Sequence, residues 1–173
     1  MGIILALDVA FCNTGWAVVD AGGANPEPLV AAGCITTKPS RDKGPKGAAD
    51  IERVAEIARG LEGVVDRYGP HLIVGELPYG SKDASAAVAA GICKGILGSL
   101  RVWAVVPCVW VTPQAGKKAL TGSASGSKAK VQDAVLEIWP EVGTLVGFEH
   151  ICDALAGLVA ARGSDLYMMA ATQ

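Results

Sequence analysis

Three acidic side chains are the polar exceptions in apolar segments of the sequence. Asp8 follows the apolar residues 3–7, Glu76 follows residues 72–75, and Asp153 lies within the apolar stretch 151–159. A buried carboxylate costs several kcal/mol unless it is paired, hydrogen-bonded or bound to a cation. Taken alone, each has an ordinary explanation as a strand-end cap, a surface acid or an ion-pair partner. Taken together, the three favour a shared cation.

His150 extends this acidic group. It lies three residues before Asp153, so the two side chains project from one face of a helix. Oxygen-rich ligand sets suit Mg²⁺ and Mn²⁺, and paired ions of this kind activate water in phosphodiester cleavage. The residue types therefore predict a metal-dependent nuclease with its ligands at Asp8, Glu76, His150 and Asp153.

The charge of the chain is unevenly distributed. Residues 82–130 hold seven lysine and arginine residues and one acid, a charge of +6, which leaves −8 for the rest of a chain whose total is −2. A basic segment of this kind could face the phosphates of a nucleic acid. The alternative is a solvated basic face with no partner.

Length and composition predict one soluble domain over residues 1–173. The chain is 51% apolar, but its longest apolar stretch, residues 102–111, contains Pro107 and is too short to span a bilayer. We therefore expect no membrane partner. The five cysteines are scattered, with no Cys-x-x-Cys pair, which is typical of reduced thiols in a cytoplasmic protein.

Apolar spacing predicts strands first and then strands alternating with helices. Strands are predicted at residues 3–11, 15–19, 29–36, 72–76 and 102–111, with a turn at 13–15. Helices are predicted at 48–68, 83–100, a short segment after Pro113, 127–139 and 148–162, and a polar surface loop at 37–47. This order indicates an α/β fold with a central mixed five-stranded sheet flanked by helices.

Four sequence elements, in order and at matching spacing, resemble the RuvC-type Holliday-junction resolvases of the RNase H-like superfamily. The resemblance runs from Ile4 to about Val159. The first element is Leu7-Asp8 with residues 14–19, and the second runs from Glu76 to Gly95 and includes Lys82, Ser85-Ala86, Gly91 and Lys94. The third is Thr112-Pro113 followed by Lys117, Gly122, Lys128 and Val131. The fourth is residues 150–156. One departure lies beside the first acid, where the family usually has Pro-Gly and this chain has Val9-Ala10.

The resemblance implies a role for each matched residue. Asp8, Glu76, His150 and Asp153 would form the metal-binding catalytic set and would hold two Mg²⁺ ions, for which Mn²⁺ could substitute. Lys117, Lys128 and Lys82 would contact DNA phosphates, and Tyr79 would stack on bases at the junction centre. A locally packed loop tyrosine is the alternative for Tyr79, and solvated charges are the alternative for Lys118 and Lys130.

The implied activity is metal-dependent hydrolysis of four-way DNA junctions by paired nicking in recombination or repair. A homodimer is implied because two symmetric incisions need two active sites, and the small-residue helix 83–100 is a candidate dimer surface. Three alternatives stay open at the level of sequence: a nuclease for other branched or flap DNA, a catalytically impaired junction-binding protein, and a nucleotide-binding domain of the actin and sugar-kinase type. The last usually needs a longer chain.

Overall fold

The computed structural model of the chain describes residues 2–23, 25–38, 47–78 and 83–173. Its centre is a five-stranded sheet with the strand order β3-β2-β1-β4-β5. The strands are β1 (Ile3–Asp8), β2 (Asn13–Asp20), β3 (Leu29–Thr36), β4 (Leu72–Glu76) and β5 (Cys108–Val111). β1, β2 and β3 pair antiparallel in sequence order, whereas β4 is parallel to both β1 and β5. The predicted mixed five-stranded sheet is therefore confirmed.

Helices cover both faces of the sheet because β1 is apolar on both sides. Ile3, Leu5 and Leu7 pack with one pair of helices, whereas Ile4 and Ala6 pack on the opposite face. The first face is covered by α1 (Ala48–Tyr68) and α2 (Ala84–Trp103). The helical elements that follow are α3 (Pro113–Thr121), α4 (Lys128–Ile138), a 3-10 helix (Pro140–Thr144), α5 (Phe148–Ala161) and α6 (Asp165–Ala171), and α5 is the main helix on the second face.

The connection between β1 and β2 differs from the prediction. β1 ends at Asp8 and β2 begins at Asn13, so residues 9–12 form the connection and residues 13–15 belong to the strand. The composition of residues 13–15 is typical of a turn, but Thr14 is fully buried and its hydroxyl donates to the Ala10 carbonyl at 3.0 Å. The turn prediction at 13–15 is therefore wrong.

The predicted strand at residues 102–111 is wrong over its first half. Residues 102–103 continue α2, Val105 has a φ of +53°, and β5 begins at Cys108. In a continuous apolar run, the spacing of apolar residues does not distinguish the end of a helix from a strand. Pro107 also has no N–H to donate to a neighbouring strand. Its carbonyl nevertheless accepts from the Ile73 N–H at 2.9 Å. The 3-10 helix and α6 were not predicted, and the loop prediction at 37–47 falls largely on residues outside the described ranges.

α2 has one packed face and one open face. It packs through Cys93, Ile96, Leu97 and Leu100. Among the described residues it is the one helix whose length and apolar composition would suffice to cross a membrane, and 22% of its apolar stretch is buried in the fold.

Candidate active site

The sheet places two of the predicted ligands next to each other. Asp8 is the last residue of β1 and Glu76 is the last residue of β4, and the parallel register pairs them directly. Both side chains are half-buried at the carboxyl edge of the sheet. The common position was predictable because carboxyl ends of parallel strands meet at one edge.

His150 reaches Asp8 because Gly15 lets helix α5 approach the sheet. Asp8 pairs with Gly15 across the antiparallel ladder. A Cβ on Gly15 would lie 2.2 Å from the backbone oxygen of His150, so no larger residue fits without moving the helix. With glycine there, His150 Nδ1 lies 3.2 Å from Asp8 Oδ2.

A second glycine sets the start of α5. Gly147 precedes the helix with a φ of +81°, and a Cβ there would lie 2.3 Å from the Cβ of Cys34 on β3. The backbone needs both the left-handed conformation and the absence of a side chain at this position. The first turn of α5 is thereby held against β3, in the same sheet as the strand β1 that carries Asp8.

Three of the four predicted ligands form a compact group. Ligand atoms of Asp8, His150 and Asp153 all lie within 4.8 Å of one another, and all three residues are half-buried. Glu76 is beside this group and lines a cavity of about 210 Å³ together with Asp153, Lys117 and Lys128. The structure thus brings all four predicted residues to one edge of the sheet.

The electrostatics of the group fit a bound cation. Burial, followed by the charges of Asp8 and Asp153, raises the pKa of Glu76 to about 8. Burial and the charge of Asp8 raise the pKa of Asp153, and the hydrogen bond to Asp8 raises the pKa of His150. Clustered carboxylates relieve their repulsion by taking up protons or a cation. The described residues therefore include an acidic group able to hold a divalent metal.

Two lysines reach the cavity from neighbouring helices. Lys117 lies on α3, which packs closely on α5 because a Cβ on Gly116 would be only 3.1 Å from the Ala156 backbone. Lys128 begins α4, and its Nζ lies 3.0 Å from Glu149 Oε2 and 3.5 Å from Asp153 Oδ2. Burial lowers the pKa of Lys128, but the two carboxylates outweigh it and raise the pKa overall. Lys117 and Lys128, two of the three predicted phosphate contacts, thus border the acidic group.

The Val9-Ala10 connection is compatible with side chains. Val9 is buried in the core under α1 and α2, and the Ala10 carbonyl accepts from Thr14. Val105 is the single non-glycine residue with positive φ in the described ranges, so residues 9 and 10 do not need the conformation that favours glycine.

Arg53 supports this connection and was not singled out from the sequence. It is buried on α1, its Nη2 donates to the Phe11 carbonyl at 2.8 Å, and its Nε donates to Thr37 Oγ1 at 3.1 Å. Its guanidinium also lies 3.8 Å from the centre of the Phe11 ring. No local sequence signal could have identified it, because its partners are far away along the chain.

The two remaining predicted DNA contacts, Tyr79 and Lys82, lie outside the described residues. Glu149, the exposed partner of Lys128, was not predicted to belong to the site.

A family model described as crossover junction endodeoxyribonuclease RuvC matches residues 4–161. The chain belongs to the RuvC family. A RuvC relative from Mesorhizobium japonicum is 31% identical over 170 residues, covering 96% of this chain and 95% of the relative. Another, from Protochlamydia amoebophila, is 31% identical over 133 residues and covers 77% of this chain and 74% of the relative.

Solved structures agree on the fold. T. thermophilus RuvC in complex with a Holliday junction substrate matches with a TM-score of 0.74 at 23% identity, covering 99% of this chain and 98% of that chain. The yeast mitochondrial Holliday junction resolvase Ydc2 matches with a TM-score of 0.61 at 11% identity, covering 97% and 78% of the two chains. The predicted RNase H-like fold is confirmed.

Family membership also decides the class of activity. RuvC proteins are crossover junction endodeoxyribonucleases, which are hydrolases acting on DNA, so the predicted nuclease activity is confirmed. The alternative of an actin-type or sugar-kinase-type nucleotide-binding domain is excluded by this membership.

Proposed function

We propose that this chain cuts four-way DNA junctions by paired nicks, with Asp8, Glu76, His150 and Asp153 holding the divalent cations of the reaction. The observation that carries the proposal is the convergence of Asp8, His150 and Asp153 within 4.8 Å, with Glu76 paired to Asp8 in the sheet. Residues 1–173 act as one nuclease domain, and we expect it to work in the cytoplasm.

The chemistry of the donors favours Mg²⁺, with Mn²⁺ as a substitute. Three carboxylates and one imidazole, carried by two strands and one helix, offer mostly hard oxygen ligands. Two ions per site are part of this proposal. Bound ions of this class supply a nucleophile from water and neutralise charge on the scissile phosphate.

The chain itself positions the ligands and the substrate. Asp8 accepts a hydrogen bond from His150 and thereby fixes the orientation of the imidazole. Lys117 and Lys128 border the cavity and would neutralise the DNA phosphates that flank the cut. Tyr79 and Lys82, which are outside the described ranges, keep their predicted roles in base stacking and phosphate contact.

A homodimer would supply the second active site that paired nicking needs, and the open face of α2 is its candidate surface. A Cβ on Gly91, Gly95 or Gly98 would meet nothing within 4 Å. Val88 and Val102 on this helix are 62% and 78% exposed. Small residues between exposed apolar ones let a second helix pack closely. Sedimentation of the wild type should give a dimer mass, and Gly95→Arg should give a monomer.

The test of the activity compares a synthetic four-way junction, a flap and a linear duplex, each with Mg²⁺ or EDTA. We expect symmetric nicks in the junction that leave a 5′-phosphate and a 3′-hydroxyl and require the metal. Equal cutting of all three DNAs would contradict junction selectivity. Binding of the junction with no cutting in Mg²⁺ or Mn²⁺ would contradict the catalytic assignment.

Asp8→Asn is the variant that connects this activity to the site. It keeps the shape of the side chain but removes the charge at the centre of the acidic group, so we expect cleavage to be lost. Junction binding should be equal or tighter because one charge that repels phosphate is gone. Lys118→Ala, on the same helix as Lys117 but exposed, serves as the control and should cut normally.

A further inference from the structure

Glu149 forms an ion pair that the proposed reaction does not use. It lies in the first turn of α5, its side chain is 62% exposed, and its Oε2 is 3.0 Å from Lys128 Nζ. The same ammonium lies 3.5 Å from Asp153 Oδ2. Lys128 is therefore held between an exposed carboxylate and one of the proposed metal ligands.

This arrangement weakens a phosphate contact by Lys128, because two of its three N–H donors face carboxylates. An ammonium group has three N–H donors, and each one directed at a carboxylate is withheld from a DNA phosphate. A phosphate that approaches Lys128 also meets the negative charge of Glu149. The Glu149 carboxylate is thus a competitor for the site that the phosphate would occupy.

We propose that Glu149 is the internal competitor of DNA at Lys128. Its carboxylate holds Lys128 beside Asp153 in the free protein, and the DNA backbone must displace it when the substrate binds. This inference rests on the phosphate contact assigned to Lys128 under the proposed function. In this role Glu149 lowers the affinity of the protein for DNA. Only a DNA that makes enough other contacts with the protein then binds.

The exposure of the pair sets the size of the effect. Lys128 and Glu149 side chains are 48% and 62% exposed, so water and salt screen the attraction and the pair opens easily. We expect Glu149→Gln to tighten junction binding by about two- to fivefold at low salt, and this gain to shrink as salt is raised.

A purely structural role for Glu149 predicts a different result. An acid in the first turn of a helix interacts favourably with the helix dipole. If that were its whole contribution, Glu149→Gln would lower the thermal midpoint and leave DNA binding unchanged or weaker. The direction of the change in junction binding separates the two roles, and a thermal midpoint measured for every variant reports the contribution to stability.

The experiment is a double-mutant cycle with Glu149→Gln and Lys128→Ala. Dissociation constants for the four-way junction are measured in EDTA, so that no strand is cut. We expect Lys128→Ala to weaken binding by about tenfold. In the Lys128→Ala background, the gain from Glu149→Gln should disappear. Glu137→Gln, the same charge change on the exposed side of α4, should change binding by less than about twofold.

The outcomes distinguish this inference from the function on which it rests. If Lys128→Ala weakens binding but Glu149→Gln does not tighten it, the competitor role is wrong and the phosphate contact stands. An equal gain from Glu149→Gln in both backgrounds would also overturn it, because the effect would then be a general charge effect. If Lys128→Ala leaves binding unchanged, both the phosphate contact and the competitor role fail.

Discussion

Two carboxylates in this molecule are withdrawn from water and are treated in opposite ways. Glu27 is 7% exposed, yet Arg162 donates to both of its oxygens, and the Tyr167 hydroxyl donates to one of them. Burial raises the pKa of Glu27, but the hydrogen bonds from Tyr167 and Arg162 outweigh it and hold the pKa below its ordinary value. The protein itself supplies the counter-charge for this acid.

Glu76 receives no comparable counter-charge. Its neighbours Asp8 and Asp153 are acids, and together with burial they raise its pKa to about 8, against the weaker opposing charges of Lys117 and Lys128. A carboxylate paired within the fold leaves no uncompensated charge, and removing its partner destabilises the fold. A carboxylate left with like charges costs free energy that a bound cation recovers, which is typical of a functional site. The difference separates an acid paired within the fold from a proposed metal ligand.

Glu76→Gln should produce the largest effect on activity. It removes a proposed metal ligand, and the loss of several kcal/mol of transition-state stabilisation corresponds to a fall in junction cleavage of roughly a hundredfold or more. The metal-free protein should be as stable as the wild type or more stable at pH 8, because a repelled charge is removed. Calorimetric unfolding in EDTA measures this. A clear loss of stability would show that the fold depends on Glu76 as it does on Glu27, and would contradict the proposed role of Glu76 as a metal ligand.

Arg162→Ala should lower the stability of the protein and leave its activity unchanged, the reverse of Glu76→Gln. It leaves Glu27 buried without its cation, and we expect the free energy of unfolding to fall by about 2–3 kcal/mol, less than for a fully buried pair because Arg162 is 28% exposed. Cleavage per folded molecule should be unchanged. Arg59→Ala, at an exposed position of α1, is the control and should shift the free energy of unfolding by no more than about 0.5 kcal/mol. Equal losses in the two variants would contradict the structural role of the pair.

Lys117→Ala should have an intermediate effect on DNA binding. Its ammonium borders the cavity with Glu76, so losing a phosphate contact should weaken junction binding by about tenfold. Lys118→Ala, one residue further on and exposed, should have little effect. Filter binding at several salt concentrations compares them, and equal losses would show that the basic segment acts only through its overall charge.

The last predicted effect is on the pH dependence of stability, and it is spread over several pH units. Glu76 has an ordinary pKa of 4.5 and a folded pKa of about 8, so the folded metal-free protein binds more protons than the unfolded chain between these values. The free energy of unfolding should therefore fall as pH rises through that window. Glu27 acts oppositely, because its folded pKa lies below the ordinary value of 4.5. Its contribution to the free energy of unfolding is lost only as pH falls below that value. Thermal midpoints in EDTA should decline from pH about 5 to about 8, less so in Glu76→Gln.

The elements that carry the site were predictable because their patterns are local. The bounds of β3, α1 and β4 agree with the prediction, since their apolar spacing is continuous and Tyr68 is followed by glycine. The predictions failed where local composition misled. Residues 13–15 resemble a turn but form a strand, and residues 102–103 resemble a strand but end a helix.

The contacts between residues of the site were harder to predict from the sequence. The acids could be found because each interrupts an apolar segment, but the space for His150 depends on Gly15, which is 135 positions earlier along the chain. The same holds for Arg162 with Glu27, and for Glu149, which reads as an ordinary helix-start acid. Such contacts depend on how α5 sits on the sheet, and no periodicity encodes that.

The most direct test of the account is proton release on cation binding. Mn²⁺ or Mg²⁺ is titrated into the protein at pH 7 in two buffers of different ionisation enthalpy, and the calorimetric heats give the number of protons released. Because Glu76 is mostly protonated at this pH, we predict close to one more proton released per site by the wild type than by Glu76→Gln. Equal proton release by the two proteins would contradict the claim that Glu76 is kept for a cation.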